Sequence, residues 1–300
     1  MIQRAVEILC SGGTVAFPTE TVYGIGADAT NRDAVLKIFR AKGRPANNPL
    51  ICHVADVGVA KRYAREFPQA AAKLAAKFWP GPITFVVPKD HSIVDEATAG
   101  LDSVGLRVPD HPLALQLLRE FGKPVAAPSA NRSNHVSPTT AQHVRDELGE
   151  AVDLIVDGGP CAVGIESTVL DLTSKVPRIL RPGGISRTQI EGVIGPVSVI
   201  EPLRAEARLP LLSPGQLPVH YAPITPAYRF QPHERDRIEL NDSAIMEITL
   251  DAQSYARQFY AKLRMLDRQN LRSIYIEIPP DTADWSAVRD RIFRATRPLT

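Results

Sequence analysis

FRAKGRPANNPLICHV, residues 39–54, is the stretch on which the reading of this chain turns. A helical run ends at Gly43 in a basic loop that carries Lys42 and Arg44, is stiffened by Pro45 and Pro49, and includes Asn47 and Asn48. The apolar run 50–54 leaves the loop as a buried strand, with His53 near its end. Two cations held one residue apart in a stiff loop suit an anion such as a phosphate or a carboxylate. A helix C-terminus also favours Lys and Arg for structural reasons, so the loop alone leaves both readings open.

On its N-terminal side, Ile2, Ala5, Val6, Ile8 and Leu9 fall at helical spacing, and Gly12 and Gly13 stop that helix. A short strand follows at 14–17. PTETVYGIGADAT, residues 18–30, reads as a turn rich in hydroxyls, where Gly24 and Gly26 let the backbone approach a neighbour closely. The third glycine of a dinucleotide fingerprint is missing. Asn31 caps a helix over 33–41 that buries Ala34, Val35, Ile38 and Phe39 and delivers the basic loop.

On its C-terminal side, helices starting near Asp56 and Pro68 lead to a break at Trp79-Pro80-Gly81-Pro82 and a strand at 83–87. A strand over 104–108 carries Arg107 among apolar residues, where an arginine is either paired or directed at a ligand. A helix over 110–121 precedes the strand 124–127, which runs into a loop with Ser129, Asn131, Asn134, Ser137 and Thr139. Ser137 and Pro138 then read as N-cap and first residue of a helix through 148. A strand end leading through a polar loop to a helix is the usual place for an anionic ligand in α/β proteins. Strands follow at 154–156, 169–172 and 178–180, with Ser167 and Arg181 beside polar turns and Ser186 capping a last helix. This alternation predicts a mixed α/β domain over 1–195. Seven prolines between 196 and 227 read as an irregular linker. Residues 228–300 hold strands at 245–250 and 273–278 and helices at 252–267 and 287–296, a small α/β unit whose stability depends on docking.

The 300 residues are 44% hydrophobic and 23% charged, with a net charge of +2. That suits a globular protein with a sizeable core and excludes a blanket of basic charge for nonspecific nucleic-acid binding. Cys10, Cys52 and Cys161 are too few and too dispersed for a zinc cluster, and they favour a reducing cytosol. No apolar run approaches a membrane span and the N-terminus lacks the core of a signal peptide, so a cytoplasmic protein is expected. No P-loop, HExxH or GxSxG motif occurs. What recurs is Lys42, Arg44, Arg107 and Arg181 near strand ends, with Thr19, Thr21, Ser129, Asn131, Ser137 and Ser167 in loops. Such a cationic pocket suits polyphosphate and carboxylate ligands, and chemistry by positioning and charge neutralisation.

Residues 12–184 resemble the YrdC-like family, whose signature is KxR followed much later by SxN. Here these are Lys42-Gly43-Arg44 and Ser129-Ala130-Asn131, and FPTETVYGIGADA, FWPGPIT, APSANRSNHVSPT, VDGGPCAVGIESTV and RILRPGG match as well. SPG…HYAP at 213–223, with a C-terminal region, resembles the long form of the family. The resemblance implies a twisted mixed sheet with flanking helices, and condensation of L-threonine, bicarbonate and ATP, with Mg²⁺ on the ATP, into L-threonylcarbamoyladenylate and pyrophosphate. It implies use of that product in tRNA modification, with contact to tRNA or to a transferase complex. By motif position, Thr21, His53, Arg107, Ser129 and Ser167 would hold threonine. Lys42, Arg44, Asn48, Ser103, Asn131, Thr139 and Arg181 would hold ATP, with His220 and Tyr221 closing from the linker. Lys42, Arg44, Ser129 and Asn131 would carry the catalysis. The chain departs from the family at Gln216, Leu217, Pro218 and Val219, where basic and aromatic residues are usual, and in its short C-terminal region. Two other readings use the same fold: a double-stranded RNA or tRNA-binding protein without synthase activity, and a carbamoyltransferase of the hydrogenase-maturation type, whose acylphosphatase and zinc-finger modules are not found here.

Overall fold

The computed structural model describes residues 1–199 and 220–299. Ten of the described strands form one mixed sheet. Their order is Ser198–Val199, Arg178–Arg181, Thr168–Asp171, Ile83–Pro88, Ser103–Arg107, Ile51–His53, Val125–Ala126, Gly24–Asp28, Val15–Phe17 and Leu154–Ile155. Register fixes the site. Ile51–His53 runs parallel to Ser103–Arg107 with His53 beside Arg107, and antiparallel to Val125–Ala126. His53 and Arg107 therefore lie side by side at the C-terminal ends of two central strands, and the antiparallel strand Val125–Ala126 carries the chain past Ile51 towards Ser129.

The helix Arg32–Lys42 forms because its ends are satisfied. Asn31 Oδ1 accepts from the N–H groups of Asp33 and Ala34, and Gly43 closes the other end at φ 59°, a conformation that costs a residue with a Cβ about 1 kcal/mol or more. Its buried face, Ala34, Val35, Ile38 and Phe39, joins the main core. The expected turn at 18–30 instead contains the strand Gly24–Asp28, antiparallel to Val15–Phe17. Its glycines explain the miss, because they carry no apolar alternation to read. A Cβ on Gly26 would come within 2.4 Å of Val125 Cγ1 and 2.7 Å of Phe17 Cε1, so the bare backbone is what lets the strands pack. The helix expected to start at Ser137 is Ala141–Leu148, capped by Thr140. Ser137 is turned inward, and its hydroxyl donates to Glu166 at 2.6 Å.

The C-terminal part has four described strands, all parallel, where two were expected. Their order is Ser243–Met246, Ser273–Glu277, Ala227–Phe230 and Arg297–Pro298. Ala227–Phe230 was hidden behind Pro223 and Pro226, and Arg297–Pro298 is too short to show a period. The first sheet's last strand lies at Ser198–Val199, past the expected boundary at 195. The remaining linker residues 200–219, including Gln216, Leu217, Pro218 and Val219, lie outside the described residues. The C-terminal core is not closed on itself: Val22, Val136 and Ile165 pack with Tyr221, Phe259, Tyr260 and Leu263. Gly164 makes that approach possible, since a Cβ there would lie 2.6 Å from Arg257 Cα. Arg264 reaches back to the carbonyls of Val136 and Ser137 and pairs with Glu147 at 3.0 Å. No helix among the described residues is long and apolar enough to cross a membrane.

Candidate active site

The basic loop folds inward. Lys42 is buried at the last turn of its helix, and Nζ donates to the carbonyls of Ser129, at 2.6 Å, and of Asn131. One ammonium thus ties the KxR loop to the SxN loop. Burial, with Arg44 nearby, pushes the Lys42 pKa well down, while the two carbonyl oxygens favour the donating ammonium. Arg44 is clamped by Asn48 Oδ1 at 2.6 Å, the Asn48 carbonyl at 3.0 Å and the Pro49 carbonyl at 2.8 Å. Burial lowers its pKa to about 9, which still leaves it a cation at neutral pH.

At the strand ends, Arg107 Nη2 lies 2.7 Å from Glu20 Oε2, both side chains buried. The pair is close but poorly aligned. Among the described residues Arg107 Nε and Nη2, both Glu20 oxygens and His53 Nδ1 have no hydrogen-bond partner. Buried polar atoms of this kind carry a cost unless something satisfies them, so they mark a place built for a ligand. On the neighbouring strands, the Thr84 and Ser167 hydroxyls meet at 2.8 Å, and Arg181 donates to Ser167 through its carbonyl at 3.0 Å and its hydroxyl at 3.2 Å. His220 and Tyr221 complete the wall, their rings 4.0 Å apart.

These groups surround about 510 Å³ of space between atoms, part of it open to solvent. Of the residues singled out in the sequence, Thr19, Thr21, Arg44, His53, Arg107, Ser129, Ser167, Arg181, His220 and Tyr221 line this pocket. Lys42 and Asn48 stand behind it and position Ser129 and Arg44. Asn131 is buried and bonds the carbonyls of Arg132 and His135, with Oδ1 left over. Ser103 and Thr139 are not brought to this wall. Ser103 sits opposite Pro88 at the far end of the strand that carries Arg107, roughly 13 Å away at the rise of an extended chain. Thr139 accepts from Cys161 N at 3.0 Å and lies beside His143.

Glu166 also lines the pocket, and the sequence reading missed it. Burial alone would raise its pKa, but Arg291, Arg181 and Ser137 outweigh that and hold it at about 2. The signal was available as an acid inside a hydroxyl-rich turn. Its cationic partner, Arg291, is too distant in sequence to have been foreseen.

The buried His53 and the half-buried His143 set a pH dependence of stability. Burial, with Arg107 nearby, lowers His53 from 6.5 to about 3, and burial, with Arg264 and Arg268 nearby, lowers His143 to about 4. Between those values and 6.5 the unfolded chain binds protons that the folded chain refuses, so stability falls as pH drops through this window. The thermal midpoint is expected to stay level from pH 8 to 7 and to fall below pH 6.5, with a shallower fall in His53→Gln. A midpoint unchanged between pH 7 and 4.5 would contradict the neutral state of these two histidines in the folded chain.

Residues 7–183 match the Sua5_yciO_yrdC family model, described as "Telomere recombination". Residues 185–296 match the model described as "Threonylcarbamoyl-AMP synthase, C-terminal domain". The chain is 50% identical over 226 residues to the threonylcarbamoyl-AMP synthase of Bacillus subtilis, covering 75% of this chain and 65% of that protein. It is 46% identical over 222 residues to that of Pyrococcus abyssi, covering 74% and 65%. These matches span just under two thirds of the relatives' length. The crystal structure of Pyrococcus abyssi Sua5 complexed with L-threonine superposes with a TM-score of 0.92 at 36% identity, covering all of this chain and 96% of that one. With a family model matching more than half of its length, the chain belongs to the Sua5/YciO/YrdC family.

Proposed function

We propose that this chain is a threonylcarbamoyl-AMP synthase, a nucleotidyltransferase that joins L-threonine, bicarbonate and ATP. The observation that carries the reading is Arg107, buried beside His53 with Nε and Nη2 lacking hydrogen-bond partners among the described residues, on a pocket that Arg44 and Arg181 also line. A fixed guanidinium fork suits the threonine carboxylate, and the remaining cations suit a triphosphate. Thr21, His53, Ser129 and Ser167 would complete the threonine site. Asn48 holds Arg44 in place, and Asn131 supports the loop that carries Ser129. His220 and Tyr221 would cover the nucleotide.

Threonine's amine, once its ammonium proton has passed to solvent, reacts with bicarbonate to give a carbamate and water. A carbamate oxygen then attacks the α-phosphorus, the bond to the bridging oxygen breaks, and pyrophosphate leaves with the electron pair. The carbamate is already an anion, so no strong base is required, in keeping with the neutral His53 and His220. The protein supplies alignment and positive charge. Mg²⁺ is expected with the ATP, but the pocket's own donors fit it poorly. Glu166 is occupied by Arg291, Ser137 and Tyr260, which leaves Glu20, already 2.7 Å from the Arg107 cation, as a lone carboxylate in the pocket's surroundings. Mg²⁺ would then arrive with the nucleotide, whose phosphate oxygens are the ligands it prefers.

The division into a catalytic domain over 1–195, extended by the strand Ser198–Val199, a linker to 227 and a C-terminal domain over 228–300, opened by the strand from Ala227, belongs to this proposal. So do delivery of the product to tRNA modification and a cytoplasmic setting, which the free thiols of Cys10, Cys52 and Cys161 suit. Pyrophosphate release from ATP should require both bicarbonate and L-threonine; release indifferent to threonine would defeat the reading.

A further inference from the structure

The helix Ser286–Ala295 of the C-terminal part touches the pocket's surroundings at three points. Arg291, fully buried, places Nε 2.7 Å from Glu166 Oε2. Its guanidinium carbon lies 5.2 Å from the centre of the Tyr221 ring, within cation–π range. The Arg294 carbonyl accepts the His220 N–H at 3.1 Å. The arginine is itself fixed, because Nη1 donates to the Pro182 carbonyl at 3.0 Å and to Asp290 Oδ2 at 2.6 Å, and Asp290 also holds Arg294 at 2.9 Å. Tyr260, from the helix Ala252–Asp267, adds a hydroxyl to Glu166 at 2.9 Å and a ring 5.8 Å from Tyr221.

We propose that Arg291 is a positioning residue for the pocket: by pairing with Glu166 and lying on the Tyr221 ring, it fixes the His220–Tyr221 segment over the site that takes threonine and ATP. The C-terminal part thereby acts on the site without touching substrate. The backbone of Tyr221 needs such a hold, since it sits at φ 63° without being glycine. Arg291 also places a full positive charge against a buried carboxylate at the edge of a pocket that must accept anions. Without it, the phosphate-facing cations would have to neutralise Glu166 themselves. The proposal rests on the synthase reading for its kinetic consequence but not for its structural one.

The test compares Glu166→Gln with the double variant Glu166→Gln, Arg291→Met in the full chain. Removing Arg291 alone would strand a buried carboxylate and risk unfolding, whereas the glutamine background removes that charge and keeps the comparison on Arg291. Amide hydrogen exchange at His220 and Ala222 should be faster in the double variant by about tenfold or more. KM for ATP and threonine should rise by about tenfold with kcat changed less, the mark of a lost positioning contact. Arg291→Lys keeps the charge but lacks the flat two-armed fork; it should remain folded and show the same faster exchange. Exchange rates and KM in the double variant equal to those of Glu166→Gln, or parent exchange in Arg291→Lys, would overturn the proposal. A parent chain without threonine-dependent pyrophosphate release would defeat the synthase reading alone, because the exchange comparison needs no substrate.

Discussion

Lys42→Met is expected to lower threonine-dependent pyrophosphate release by a factor of about 10² to 10³, the loss typical of removing a fixed donor from a catalytic site. The effect does not require the ammonium to touch ATP. Nζ holds the carbonyls of Ser129 and Asn131, and a methionine in its place leaves both buried acceptors unpaired, each costing about 1–3 kcal/mol. The loop after Val125–Ala126 would then shift, taking Ser129 from the pocket wall. The far-UV spectrum should remain that of the parent at 25 °C while the melting midpoint falls. A Lys42→Met chain with parent turnover would show that this tie between the two loops is dispensable.

Arg107→Met is expected to destabilise the chain by about 3–5 kcal/mol, because Glu20 would be left as an uncompensated buried carboxylate. It should also abolish measurable threonine binding. The two losses are separable. Adding Glu20→Gln removes the stranded charge, so the double variant should recover most of the denaturant midpoint and still fail to bind threonine in a calorimetric titration. Threonine affinity at the parent level in that double variant would place the carboxylate site elsewhere.

How much of this was legible depends on how local each determinant is. The basic loop was readable from one segment, since Asn31, the apolar face of 34–39 and Gly43 all lie within it. The strand-end cations Arg107 and Arg181 stood out as charges in apolar runs, and both line the pocket. Gly24–Asp28 was not readable, because its glycines are dictated by Phe17 and Val125 on neighbouring strands. Ser137 looked like a helix cap, yet Glu166 claims its hydroxyl, a contact that exists only once the chain has folded. Ser103 was carried over by motif position, and strand register then set it at the opposite end from Arg107. The role of Arg291 was invisible for the same reason: its carboxylate partner and its aromatic partner come from separate parts of the chain. Pattern reading finds residues that declare themselves within one element, and packing decides those that do not.

The most direct measurement of the central claim is incorporation of ¹³C-bicarbonate into a nucleotide product, followed by mass spectrometry with and without L-threonine. The expected product is an adenylate that contains threonine and the labelled carbon, formed together with pyrophosphate and only when all three substrates are present. Pyrophosphate formed without threonine, or an adenylate lacking the labelled carbon, would contradict it.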